Sequence, residues 1–140
     1  MYERLVTWVR LLLGAAYLVG GGNWFFKLID PYPSISDYLN APPPDDIVGA
    51  LIRTGILFHM VKAVELIAGL SLLTNRFVAL SLVISAPVTV VVFVVDVFVS
   101  GHTRAVFMGT GAFAMHGFLL LAYLNTYRPM LAARPVPDRL

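Results

Sequence analysis

Four stretches of this chain are apolar for close to the roughly 20 residues that a helix needs to cross about 30 Å of hydrocarbon, and no other feature limits its fold as strongly. They run approximately over 5–26, 47–73, 77–99 and 105–123. Turn formers follow each of the first three: Asp30-Pro31 through Pro42-Pro43-Pro44, then Thr74-Asn75-Arg76, then Ser100-Gly101-His102. Composition agrees, because 59% of the 140 residues are hydrophobic and 13% charged. A soluble domain carries roughly 45–50% and about 25%, so a single core of this size could not hide the excess. One long loop and two tight turns make spans two, three and four antiparallel neighbours. The expected fold is an all-α, up-down bundle of four transmembrane helices over 1–128, followed by a Pro- and Arg-containing tail, 129–140, expected to be disordered.

Cation placement sets the expected orientation. Arg4, Arg10, Arg76, Arg128, Arg134 and Arg139 fall at or near one side, and Lys27, Arg53 and Arg104 nearer the other, beside Asp30, Asp37, Asp45 and Asp46. Both termini are therefore expected in the cytoplasm and the loop over 30–46 outside. That loop holds five prolines, two tyrosines and four aspartates, which opposes helix and strand; a solvated loop is the simple reading and a cap over the bundle the alternative. The first span could be mistaken for a signal peptide. Trp24-Phe25-Phe26 stands where small cleavage-site residues would be needed, so it is read as a retained anchor. A net charge of +2 gives no footprint for nucleic acid. With no cysteine, disulfides, thiolate catalysis and iron–sulfur ligation by this chain are excluded.

Charges inside a span are costly and mark a function or a structural pair. In span two, His59, Lys62 and Glu65 fall within about 120° of arc that also contains Gly55 and Gly69, a face both polar and small. In span three, Ser81, Ser85, Thr89 and Asp96 cluster within about 80°. Pro87 between them leaves the Val83 carbonyl without its helical donor, and a kink with a small polar cavity is expected there. Span four carries Ala105, Gly109, Ala112 and His116 on one face, continued by Tyr123, so His116 should look inward. Counted from the turns, His59 and His116 both reach mid-membrane and are expected to face one another, and Arg10 is expected to pair with Glu65. The candidate intramembrane site is His59, Lys62, Glu65, Asp96 and His116, supported by Arg10, Ser85 and Thr89. Lys62 and Glu65, spaced i, i+3, can equally be a structural ion pair. Trp8, Trp24, Tyr2, Tyr123 and Tyr127 are read mostly as interfacial anchors.

The run from Met60 to Leu70, with its Lys62-x-x-Glu65-x-x-x-Gly69 pattern, then Leu72-Leu73, a short turn and a Pro87-centred third span, resembles the DoxX-like family of small four-helix membrane proteins. Arg10-Leu11-Leu12-Leu13-Gly14, Gly21-Gly22-Asn23 and Tyr127-Arg128-Pro129 extend the resemblance over nearly the whole chain. It departs at Trp24, where the family often has lysine, and at Asp96, where it often has histidine. The resemblance implies a bacterial inner-membrane protein, sometimes accompanying redox systems such as thiosulfate:quinone oxidoreductase or oxidative-stress complexes.

Three functions remain open on the residues. The polar faces would border a quinone headgroup in an accessory subunit of a membrane redox system, with a membrane or peripheral redox enzyme as partner. Alternatively they line a transporter-like or proton-conducting path, which four helices without a repeat would build as a homo-oligomer. In the third reading the buried charges only specify packing. Haem ligation by two inward histidines is the least favoured cofactor reading. No nucleophile elbow, phosphate loop or metal-spaced cluster is present, so the sequence alone assigns no enzymatic activity.

Overall fold

The computed structural model describes residues 1–29, 46–100 and 102–131. The fold is all-α. Among the described residues, four helices are long and apolar enough to cross a membrane: α1 (Tyr2–Phe26), α3 (Leu57–Thr74), α4 (Val78–Val94, prolonged to Ser100 by a π-helical turn) and α5 (Thr103–Ala122). Between the first two lies α2 (Ile47–Arg53), and α6 (Leu124–Tyr127) follows the last. The four long helices pack in a ring in which α1 touches α3 and α5, and α4 touches α3 and α5.

The second expected span, 47–73, is broken. Gly55 has φ +77°, a left-handed conformation that a helix interior does not contain and that glycine adopts without a Cβ penalty. The Thr54 hydroxyl accepts from the Leu57 N–H, supplying a donor-starved helix start with a partner. Upstream, the Asp46 carboxylate accepts from the Gly49 N–H and caps α2. Gly55 thus leaves the polar face assigned to it, and His59 becomes the third residue of its helix instead of a mid-span residue.

Packing is closest between α1 and α3. A Cβ on Gly21 would sit 2.6 Å from the Lys62 carbonyl oxygen and the Leu66 nitrogen, and one on Gly69 would sit 2.6 Å from the Leu18 nitrogen. Only glycine lets the two backbones meet, as small residues do in membrane bundles. Leu13, Leu72, Leu82 and Leu119 are fully enclosed around this seam, while Leu12, Ile67, Ile84, Phe107 and Leu121 point outward as a lipid-facing surface requires. The tight turn between α3 and α4 uses two left-handed residues, Asn75 (φ 57°) and Phe77 (φ 54°), and the Arg76 N–H reaches back to the Ser71 carbonyl.

At the chain's far end, Arg128–Leu131 forms a 3₁₀ turn, so the expected disordered tail does not begin at Pro129. The remainder of that tail and the 30–45 stretch of the expected outer loop lie outside the described residues. Trp24 and Tyr127, expected as interfacial anchors, are buried: Trp24 is 1% exposed and Tyr127 8%. The Tyr127 hydroxyl donates to the Ala79 carbonyl at 3.0 Å, and burial pushes the phenol above its ordinary pKa of 10.0. Trp8 and Tyr2 are exposed, consistent with anchoring.

Candidate functional site

The polar side chains of the interior form two clusters rather than one. The first ties α1, α4 and α5 together around His116, which is 3% exposed. Its Nε2 donates to the Leu82 carbonyl at 3.0 Å, and its Nδ1 lies 2.9 Å from the Tyr17 hydroxyl and 3.2 Å from Thr89 Oγ1. Tyr17 and Thr89 hydroxyls are themselves hydrogen-bonded. Thr89 Oγ1 is also within 2.9 Å of the Ser85 carbonyl, and Ser85 Oγ donates to the Ser81 carbonyl at 2.7 Å. The serines and threonine form this ladder because positions 81, 85 and 89 repeat every four residues on one helical face, where each hydroxyl meets the carbonyl one turn back.

Two proton arrangements satisfy the cluster. In one, the Tyr17 hydroxyl donates to Nδ1 and Thr89 to Ser85. In the other, Nδ1 carries a proton and donates to Tyr17, whose own proton turns to Thr89. The two differ by one proton and a rotation of the Tyr17 hydroxyl, with no heavy atom displaced.

The second cluster lies toward the other end of α1. Lys62 Nζ is 2.8 Å from Glu65 Oε2, the expected i, i+3 pair. The pair is only partly enclosed, with side chains 19% and 9% exposed. The ammonium also stands 5.4 Å from the Phe58 ring centroid, and Trp24 meets Phe58 and His59 edge to face at 4.6 and 5.5 Å. Beside them opens a cavity of about 520 Å³ walled by Val19, Asn23, Trp24, Phe58, Lys62 and Met108. Asp96, half-buried in the π-helical turn, lies within electrostatic range of Lys62 and Glu65 and packs on α5 where Gly109 leaves room, since a Cβ there would be 2.8 Å from its own.

Two expected pairings do not form. His59 and His116 do not face one another, because His59 packs beside Trp24 and His116 beside Tyr17, seven residues and about 10 Å apart along α1. The two imidazoles therefore do not converge as a pair of axial ligands would have to. Arg10 does not meet Glu65 either: Glu65 lies against Gly20, ten residues further along α1, and Arg10 Nη1 donates to the Leu72 carbonyl instead.

Tyr17 and Trp24, central to the two clusters, were not singled out as site residues from the sequence. Their signal is the spacing Arg10, Gly14, Tyr17, Gly21, Trp24, which alternates steps of four and three and places all of them on the buried face of α1. The chain matches no protein-family model, and no curated protein or solved structure matches it.

Proposed function

We propose that the chain is a DoxX-like accessory subunit of a bacterial inner-membrane redox system, with both termini cytoplasmic, and that it receives a quinone headgroup in the cavity beside Lys62. The observation that carries this reading is an ammonium at the wall of a largely apolar, aromatic-sided cavity whose other polar side chain is Asn23. A quinone ring has two carbonyl acceptors and a flat apolar face. Lys62 has three N–H donors and spends one on Glu65, leaving others for a carbonyl oxygen. Phe58, with Trp24 packed edge to face against it, offers ring surface, and Glu65 holds the ammonium in place. Electrons would come from the partner enzyme; this chain would bind and orient the ring.

The test uses the purified protein in nanodiscs carrying the Trp8→Phe change, so that Trp24 is the only tryptophan. A short-chain ubiquinone should quench Trp24 fluorescence saturably, and Lys62→Met should weaken binding at least about tenfold, the loss of one charge-assisted hydrogen bond. Non-saturable quenching identical in both proteins would refute it.

The Tyr17–Thr89–His116 chain favours a second reading, a proton-conducting bundle, because its two arrangements differ by one proton. Proton flux into liposomes that is abolished by Tyr17→Phe would favour it over the quinone reading. Flux indistinguishable from empty liposomes would remove it.

A further inference from the structure

At the end of the bundle that carries both described chain ends, a guanidinium sits in the interior with no carboxylate among the described residues in an ion pair with it. Arg10 is 8% exposed, and its protein partner is the Leu72 carbonyl. That carbonyl lies in the last turn of α3 and lacks its helical donor, because the Arg76 N–H turns to Ser71. Arg10 therefore caps α3. A helix C-terminus supplies only about half a negative charge, so the cation is only partly balanced. The fork also has five N–H donors, of which this contact uses one.

The unused donors have somewhere to go. Arg10 lines a cavity of about 260 Å³ together with Tyr2, Glu3, Thr7, Asn75 and Tyr123. Thr7 spends its hydroxyl on the Glu3 carbonyl, while the Tyr2 and Tyr123 phenols and the Asn75 amide add neutral donors to the wall. Glu3 is the one carboxylate among these lining residues. It is exposed and stands seven residues nearer the helix start than Arg10, about 10 Å along the axis. The cavity thus brings an exposed acid near the helix start and a buried, half-compensated guanidinium, about 12 Å in from Tyr2 along the axis, together with polar Tyr2, Asn75 and Tyr123 and apolar Val6 and Ala122.

We propose that this cavity binds a phosphate-bearing anion through Arg10. A planar guanidinium with two adjacent free N–H edges suits two oxygens of a phosphate. The ligand is either a phospholipid headgroup at the membrane surface or a free phosphate. This site is separate from the Lys62 cavity, so the fate of one reading leaves the other standing.

The experiment titrates the full-length protein, delipidated in maltoside detergent and phosphate-free buffer, with inorganic phosphate and with dihexanoyl phosphatidylglycerol, by calorimetry. The wild type should bind at least one of them; binding of the lipid alone identifies a headgroup, and binding of inorganic phosphate a free anion. Arg10→Met should lose affinity at least about tenfold. Glu3→Gln, at an exposed position that leaves the Arg10 cap in place, should bind about threefold tighter because one repulsive charge is removed. It decides the matter if Arg10→Met does not fold. No binding by the wild type, equal binding by Arg10→Met, or unchanged affinity in Glu3→Gln would each overturn the proposal.

Discussion

The two polar clusters of the interior are built from similar residues and solve the membrane's polarity problem in opposite ways. Around His116, donors and acceptors from three helices are matched to one another within a fully enclosed space. Around Lys62, an ion pair is left half-open beside a cavity, with donors to spare. A matched cluster costs little to bury and a great deal to interrupt. An unmatched one can exchange partners, which a binding site needs. The same sequence ingredients, histidine, hydroxyls and charges on one helical face, therefore serve cohesion in one place and availability in the other.

That contrast can be broken by experiment, and the largest effect belongs to the matched cluster. Replacing His116 with Phe removes the imidazole's hydrogen bonds to the Tyr17 hydroxyl and the Leu82 carbonyl, at about 1–1.5 kcal/mol per bond. Unfolding in mixed micelles should show a loss of about 2–3 kcal/mol; a loss below about 1 kcal/mol would mean that water reaches the cluster. Tyr17→Phe, which removes one hydroxyl and leaves Thr89 bonded to Ser85, should cost about 1–2 kcal/mol in the same assay.

The half-open pair should behave differently. Changing Lys62 to Met together with Glu65 to Leu removes both charges, and swaps of that kind are often neutral or stabilising by about 1–4 kcal/mol when the pair is buried. Because this pair is partly solvated, its double variant should unfold within about 1 kcal/mol of the wild type while losing quinone binding. A double variant as damaged as His116→Phe would erase the distinction.

The smallest effect is expected at Tyr127, outside the spans. Its folded pKa lies above the ordinary 10.0. The unfolded phenol therefore ionises first, and the stability it contributes is present below pH 10 and declines as pH rises through the folded value. Tyr127→Phe should cost about 1 kcal/mol at pH 8, and the difference should shrink by pH 11 in chemical denaturation. A difference constant across that range would place the hydroxyl in solvent.

How much of this was legible depended on whether the information was local. The Ser81, Ser85 and Thr89 ladder and the Lys62–Glu65 pair follow from spacing on one helix, and both are present. The break at Gly55 was hidden because apolar Leu51, Ile52, Ile56 and Leu57 bracket the short Arg53-Thr54-Gly55 stretch, so averaged hydropathy runs through a conformational stop. The pairings of Arg10 and of the two histidines depended on how far α1 slides along α3. That register is set by where Gly21 and Gly69 let the backbones touch, a three-dimensional fit that no single helix encodes.

The short turn between α3 and α4 bears on how the chain enters the bilayer during synthesis. α3 carries His59, Lys62 and Glu65 and is a poor candidate to partition alone, whereas α4 is the most apolar of the spans. Only Asn75, Arg76 and Phe77 separate them, bent back by two left-handed residues. A connection so short leaves α3 no independent choice of side: once α4 is committed to lipid, its neighbour is drawn in as the other arm of a hairpin. The polar helix is thereby delivered with α4 already beside it.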